Sequence, residues 1–225
     1  MLVLSGCMKP TGEKIDPYYN VPAIIGFDYS FSVPIPVLIT SFGTLLAPEI
    51  SKADINEGEA FLLSFNVYPD TQLYPDYVTV SDIWGPKVGK GYPASMVSTD
   101  AANDIPIFSI NIYDEFEYDT DKTVLFISFG HNDNINEEIT YEMTYSTYET
   151  DDIPVVYLKA KKTGNTESIL CQGIYAFDMS YYFMRAQILE KKKFNIMFKT
   201  GDKDGEDEYI PWINNPYEPL FFKDK

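Results

Sequence analysis

Residues 139–146 read ITYEMTYS, with large apolar or aromatic side chains at every second position and threonine, glutamate or serine between them. Successive side chains of a β-strand point to opposite faces of a sheet, so this alternation predicts a strand with one buried and one polar face. Tyrosine, isoleucine and threonine are also favoured in strands. The stretch therefore indicates an antiparallel sheet that is covered on one side.

The same two-residue period recurs along the chain, in residues 60–67 (AFLLSFNV), 108–113 and 194–198. Other apolar runs bounded by turn residues predict further strands at Val21–Phe27, Val37–Phe42, Asp76–Trp84, Thr123–Phe129, Val155–Ala160 and Gly173–Phe177. A helix is predicted at Met179–Leu189 with Asp178 as its N-cap, although its aromatic residues also fit a strand and a turn. The predicted fold class is all-β.

Two features of the sequence predict how the strands are organised. Pro34 and Pro36 lack N–H donors, which places residues 33–42 at the edge or entry of a sheet. Residues 85–93 (GPKVGKGYP) have the composition of a linker and predict a domain boundary near residue 100. About five predicted strands precede this boundary, as in an OB-type barrel, and about seven follow it, as in a sandwich. We therefore predict a lipobox remnant and tether in residues 1–18, an OB-like β-barrel in 19–100 and a β-sandwich in 101–225.

Charge excludes some partners of such a barrel. The chain has 17 lysine and arginine residues against 34 acidic residues, a formal net charge of −17. This field repels nucleic-acid phosphates, and the first hundred residues contain no arginine. We predict that the protein binds no nucleic acid and that cationic partners are favoured. At 45% hydrophobic and 16% aromatic residues, the chain has ample material for a core.

The two cysteines bear on location. Residues 4–7 (LSGC) resemble a bacterial lipobox, in which the cysteine becomes a lipidated N-terminus, so Cys7 is predicted as the lipid attachment site. A complete leader also has a basic region and about 7–15 apolar residues, so we expect it to start upstream of Met1. Cys171 lies in an apolar setting and is predicted to be a buried, inert thiol. A Cys7–Cys171 disulfide is the alternative, and it would exclude lipidation.

No pattern predicts a reaction, a cofactor or a metal. His131 is the single histidine and stands in residues 130–134 (GHNDN), which have turn composition. One imidazole excludes a multi-histidine metal site, and no G-x-S-x-G motif is present. Residues 85–91 lack P-loop spacing, and the acidic residues 202–208 lack EF-hand spacing. Paired carboxylates for glycoside hydrolysis stay open, because their separation cannot be determined from sequence. We predict no catalytic residues and no enzyme.

Several segments together resemble NigD-like lipoproteins of gut Bacteroidetes. Residues 40–48 (TSFGTLLAP) and 57–67 (EGEAFLLSFNV), after the lipobox, resemble their N-terminal barrel. Residues 103–107 (NDIPI), 124–129 (VLFISF) and 176–180 (AFDMS) resemble their C-terminal sandwich. The resemblance implies an OB-like domain followed by a sandwich, without established catalytic residues to transfer. Residues 158–162 (LKAKK) depart from the arginine- or histidine-bearing strand end expected there.

These observations predict a non-catalytic lipoprotein of the cell envelope that docks an unidentified envelope protein. A lipid anchor would hold it on the outer membrane, and the absence of an acidic pair directly after Cys7 favours the periplasmic face. The alternative is a glycan-binding lipoprotein of a polysaccharide-uptake system. That role requires Trp84, Trp212 or a tyrosine pair to be exposed and coplanar, whereas such aromatics are expected mainly in the core.

Overall fold

The structure is a computed structural model that describes residues 17–50, 55–67, 78–95, 104–119, 122–133, 139–145, 154–162, 169–188, 193–200 and 209–211. Contacts divide the chain into two compact units, Met1–Lys87 and Val88–Lys225. The described residues form fifteen strands and one helix, so the predicted all-β class is confirmed.

The first unit is a closed barrel of five strands. They are β1 (Tyr18–Asp28), β2 (Ile35–Thr40), β3 (Gly43–Leu46), β4 (Ala60–Val67) and β5 (Val78–Trp84). The barrel closes in the order β1-β2-β3-β5-β4, with β3 and β5 parallel and the other neighbours antiparallel. A five-stranded barrel of this kind is OB-like, as predicted.

The barrel core follows the two-residue period of its strands. Val21, Ala23 and Ile25 of β1 are buried in one cluster with Leu38 of β2 and Phe65 of β4. Burying a side chain of this size contributes about 1.5–3 kcal/mol relative to leaving it in water. Alternate residues of β1 and β4 therefore supply this cluster, although residues between them are buried as well.

The sheet edge expected at residues 33–42 is not present. β2 pairs with β1 on one side and β3 on the other, because the barrel closes on itself. Pro36 lies opposite Phe27 near the start of β2, and its carbonyl oxygen accepts the N–H of Ala47 at 2.9 Å. The proline thus occupies a strand entry, and the prediction of an unpaired edge here is wrong.

The second unit contains two sheets. Its elements are β6 (Gly89–Lys90), β7 (Tyr92–Ser95), β8 (Asp104–Ile105), β9 (Ile107–Asp119), β10 (Lys122–Asp133), β11 (Ile139–Tyr145), β12 (Val155–Lys162), β13 (Ile169–Asp178), α1 (Ser180–Ile188), β14 (Asn195–Lys199) and β15 (Tyr209–Pro211). One sheet has the order β6-β13-β10-β9; the other has β15-β14-β12-β11-β7, with β8 paired to β12. Side chains of both sheets share one buried cluster, which confirms the predicted sandwich.

The segment predicted as a linker, residues 85–93, includes strand β6 and the start of β7. A Cβ atom at Gly89 would lie 2.6 Å from Cδ1 of Tyr175, and one at Gly91 would lie 2.3 Å from Cδ1 of Phe177. These glycines are needed because aromatic rings of β13 pack directly on their backbone. Residues 89–90 and 92–93 are thus paired strand rather than linker, while the division between the two units, after Lys87, lies within the predicted stretch. The boundary near residue 100 falls in residues 96–103, outside the described part, and stays a prediction.

The predicted helix is present as α1, and its start is held as expected. Oδ1 of Asp178 accepts the backbone N–H of Ser180 at 2.9 Å, which satisfies a donor at the helix N-terminus. The N–H of Met179 donates to the carbonyl of Thr123 at 2.8 Å and ties this start to β10. Tyr182 and Phe183 are buried in the sandwich core.

Candidate functional site on the barrel

Five large aromatic side chains of the described barrel residues are exposed to solvent; Tyr29, which follows β1, is 64% exposed, and the other four are in ring contact with one another in pairs. Tyr18 and Tyr19, at the start of β1, are 41% and 65% exposed. Phe42, in the turn between β2 and β3, is 53% exposed, and Trp84, at the end of β5, is 48% exposed. We refer to these four residues as the aromatic surface. Exposed apolar side chains that lie in contact with one another, rather than singly, are typical of interaction sites.

The four rings form two pairs. Tyr18 stacks between exposed Phe42, at a centroid distance of 5.7 Å and an interplanar angle of 27°, and buried Phe65, at 5.3 Å and 19°. Tyr19 meets Trp84 edge to face, at 6.3 Å and 72°. The first pair is anchored on the barrel core through Phe65, so its position is fixed by packing.

A bulge presents the two tyrosines. The pairing of β1 with β4 shifts register between Tyr18 and Val21, and Asn20 in the shift has φ of 51°. The backbone N–H of Asn20 donates to Oγ of Ser64 at 3.2 Å. Bulges commonly re-aim side chains at functional sites. The local backbone therefore departs from regular strand geometry where the aromatic surface is built.

The strand that carries Trp84 has a similar irregularity. The pairing of β4 with β5 shifts between Ser64 and Asn66, and Asp82 has φ of 52°. Asp82 is held by two contacts: its N–H donates to Oε2 of Glu49 at 2.9 Å, and its carboxylate accepts Nδ2 of Asn66 at 2.8 Å. A non-glycine residue in this region costs of order 1–3 kcal/mol and persists only when its neighbours hold it.

The barrel is also acidic. Residues 1–87 contain ten acidic residues and four lysines. The hydroxyl of Tyr29 donates to Glu57 at 3.2 Å, and partial desolvation followed by the Glu57 carboxylate raises the pKa of Tyr29 above its ordinary 10.0. Hydrogen bonds from Lys87 and then Asn56 lower the pKa of Glu59 to about 2. Glu59 is therefore charged at neutral pH, and the excess of acidic residues in this unit favours a cationic partner.

The structure places the predicted site residues as follows. Cys7 and Trp212 lie outside the described residues. Trp84 is exposed, so its predicted place in the core is wrong. Cys171 is a free thiol but half-buried, where full burial was expected. The sequence did not predict that an exposed aromatic surface would include Tyr18, Tyr19 and Phe42, because their positions depend on pairing between distant strands.

His131 is not in a turn. It lies within β10, opposite Cys171 of β13, and its side chain is fully buried. The turn composition of residues 130–134 was misleading, because pairing with β13 extends β10 to Asp133. Among the described residues, no group of three or more histidine, cysteine or acidic side chains could hold a metal ion. No helix in the described ranges has the length and apolar character needed to span a membrane.

Comparison with known proteins identifies solved structures of similar fold. No protein-family model and no curated protein matches the chain. An uncharacterized protein from Parabacteroides merdae matches with a TM-score of 0.60 and 12% identity, over 84% of this chain and 94% of that one. A "Putative lipoprotein" from Bacteroides fragilis matches at 0.57 and 11%, over 88% and 97%. A NigD-like immunity protein from Bacteroides caccae matches at 0.49 and 15%, over 91% and 96%.

These matches cover most of each chain, so the barrel followed by a sandwich is a shared architecture. The predicted resemblance to Bacteroidetes lipoproteins is confirmed as a likeness of fold, since the chain shares its fold with the "Putative lipoprotein" from Bacteroides fragilis. At 11–15% identity the likeness concerns the fold alone.

Proposed function

We propose that the protein is a non-catalytic, lipid-anchored protein of the cell envelope that docks another envelope protein through its aromatic surface. The observation that carries the proposal is the exposure of Tyr18, Tyr19, Phe42 and Trp84 on one barrel. Tyrosine and tryptophan are enriched among residues that dominate binding energy at protein interfaces. Each also brings a large apolar area with few rotatable bonds, so little conformational entropy is lost on binding.

The lipid anchor rests on two observations. Residues 4–7 (LSGC) have the lipobox pattern, which puts the lipid on Cys7. A structural neighbour that shares the fold over 88% of this chain is described as a "Putative lipoprotein". We place the anchor in the outer membrane, with the protein facing the periplasm.

Ring geometry favours a protein partner over a glycan. A sugar ring stacks on a flat, exposed aromatic face, and a longer saccharide needs neighbouring faces in one plane. Tyr19 and Trp84 meet at 72°, and one face of Phe42 is covered by Tyr18. Rings set at an angle leave notches that accept side chains, as in the pockets of protein interfaces. Because the barrel is acidic, we expect the docking surface of the partner to have basic side chains around an apolar centre.

The proposed role as a non-enzyme rests on the sequence. The chain has one histidine and lacks a nucleophile motif and a phosphate loop.

Chemical cross-linking in the native envelope followed by binding to the purified partner tests the proposal. The test variant is Tyr19→Ala with Trp84→Ala, and the control is Tyr181→Ala, a residue 48% exposed on α1. Loss of two interface anchors should weaken binding by up to about 1,000-fold, and by at least about 30-fold if only one of them is a full anchor, since each contributes of order 2 kcal/mol. The control should bind as the wild type does. Equal loss in the control, or full binding by the double variant with an unchanged unfolding midpoint, would contradict the proposal.

The glycan-binding alternative is tested on the same variants. A glycan array at low salt should give no ligand for the wild-type protein. A saccharide ligand that is lost with Trp84→Ala would favour the alternative, and turnover of any glycan or peptide would overturn both roles.

A further inference from the structure

A buried histidine in the sandwich has one satisfied ring nitrogen. Nε2 of His131 lies 2.9 Å from the hydroxyl oxygen of Tyr141 and 3.4 Å from that of Tyr175. The Tyr175 hydroxyl donates to Tyr141 at 3.2 Å, and the Phe129 ring stacks on Tyr175 at 4.5 Å. The orientation of the imidazole is thus set by a polar contact on one side and by packed rings around it.

The other ring nitrogen is buried and lacks a partner. Within the described residues, Nδ1 of His131 has no hydrogen-bond partner, and the side chain is 0% exposed. Buried polar atoms in folded proteins are nearly always paired, and an unpaired one costs about 1–3 kcal/mol. The unpaired nitrogen therefore indicates a group that the chain itself does not supply.

A cysteine stands directly opposite this histidine. His131 of β10 and Cys171 of β13 form a cross-strand pair in the antiparallel ladder. Opposed residues project from the same face, with Cβ atoms about 4.5–5.5 Å apart. Metal–nitrogen and metal–sulfur bonds of about 2.0 and 2.3 Å would bridge a nitrogen and a sulfur about 3.6–4.4 Å apart. Residues opposed in this way are in general near enough for one ion to bridge them, and half-buried Cys171 offers access from solvent.

The residues around His131 hold its ring in the orientation that a metal ligand needs. A ligating histidine typically donates its second ring N–H to an oxygen, which fixes the tautomer. The Tyr141 oxygen stands in that position. Tyr175 in turn is held by two glycines, since a Cβ at Gly173 would lie 2.8 Å from its hydroxyl and one at Gly89 would lie 2.6 Å from its ring. The supporting residues are therefore packed without room for movement.

We propose that His131 and Cys171 form a binding site for a soft, thiophilic cation, and that Cu⁺ is the ion that fits it best. Thiolate and imidazole together suit copper and zinc. Zinc takes four ligands, and the described residues offer no group of three or more histidine, cysteine or acidic side chains. Cu⁺ is stable with two or three ligands, which matches a histidine and cysteine pair.

Copper binding by the full chain tests this site. Cys7→Ser serves as the background, because it removes the other cysteine of the sequence. Titration with Cu⁺ under reducing, oxygen-free conditions against a chromophoric chelator should give one ion per chain. Adding Cys171→Ser or His131→Gln should weaken binding at least tenfold, whereas Tyr141→Phe should retain the stoichiometry. X-ray absorption at the copper edge should show one sulfur and one nitrogen ligand.

Cys171→Ser keeps the test valid if His131→Gln disturbs the core, because Cys171 is half-buried and serine is close in size. Unfolding midpoints of all variants verify that the sandwich is intact. The proposal is overturned if the Cys7→Ser protein binds no Cu⁺, or if Cys171→Ser binds it as tightly in that background. It is also overturned if the absorption spectrum shows a site without sulfur.

Discussion

Replacement of Gly85 by alanine should destabilise the barrel far more than the same replacement at Gly43. Both glycines have positive φ, +148° for Gly85 and +128° for Gly43, so both lie where side chains are disfavoured. A Cβ at Gly85 would lie 2.0 Å from the carbonyl oxygen of Leu62, whereas a Cβ at Gly43 would meet no atom within 4 Å among the described residues. Comparing the two alanine variants therefore separates the cost of a steric clash from the cost of backbone strain.

The expected magnitudes follow from these contacts. Backbone strain costs of order 1–3 kcal/mol at either position, and loss of glycine freedom in the unfolded chain offsets about 0.4–1 kcal/mol. Gly43→Ala should thus cost about 1–2 kcal/mol. At Gly85 the β4 backbone must also move by about 1 Å, which adds about 1–3 kcal/mol of overpacking. The movement weakens the hydrogen bond from the Leu62 N–H to the Pro86 carbonyl, 3.0 Å long, at a further cost of about 0.5–1.5 kcal/mol. The total is about 3–6 kcal/mol.

Urea unfolding measures the difference. The chain has two tryptophans, and in a Trp212→Phe background the fluorescence reports on Trp84 at the end of β5. Gly85→Ala should lower the unfolding free energy by at least about 2 kcal/mol more than Gly43→Ala. Equal unfolding curves for the two variants would show that the approach of Gly85 to the Leu62 carbonyl does not limit the barrel.

Three further predictions concern charge, anchoring and ligands. The pKa of Glu59 is about 2 in the folded protein, against an ordinary 4.5. Its bond to Lys87 therefore stabilises the barrel fully above pH 4.5 and progressively less as the pH falls toward 2. Glu59→Gln should therefore flatten the acid limb of a stability–pH curve, and an unchanged limb would contradict the assignment. The intact mass of the membrane-extracted protein should show an acylated species that begins at Cys7. The Cys7→Ala variant should be released from the membrane as a folded protein, and a soluble full-length native form would refute the anchor. Single-stranded DNA should not bind at near-physiological salt, because OB domains use a basic groove and the first hundred residues have few lysines and no arginine; measurable binding would refute this exclusion.

Features that depend on neighbouring residues could be predicted from the sequence. The alternation in residues 139–146 predicted strand β11, and Met143 and Tyr145 lie in the sandwich core, whereas Thr144 between them is also buried, so the polar face expected at that position is wrong. Asp178 before an apolar run predicted the start of α1. These predictions succeeded because strand period and helix capping arise within a few residues of each other.

The candidate sites could not be predicted in the same way, because strand pairing brings their residues together over long sequence separations. Tyr19 meets Trp84 only after β1 and β5 join the same barrel, and the bulge at Asn20 that aims Tyr19 forms against β4. His131 has turn-like neighbours in the sequence, yet pairing opposite Cys171 places it in a buried strand. Local pattern was sufficient for the all-β class and the alternation of faces. Which side chains meet, and which stay in water, was determined by the closure of the barrel and the register of the sheets, because burial depends on contacts between strands that the chain's local order does not specify.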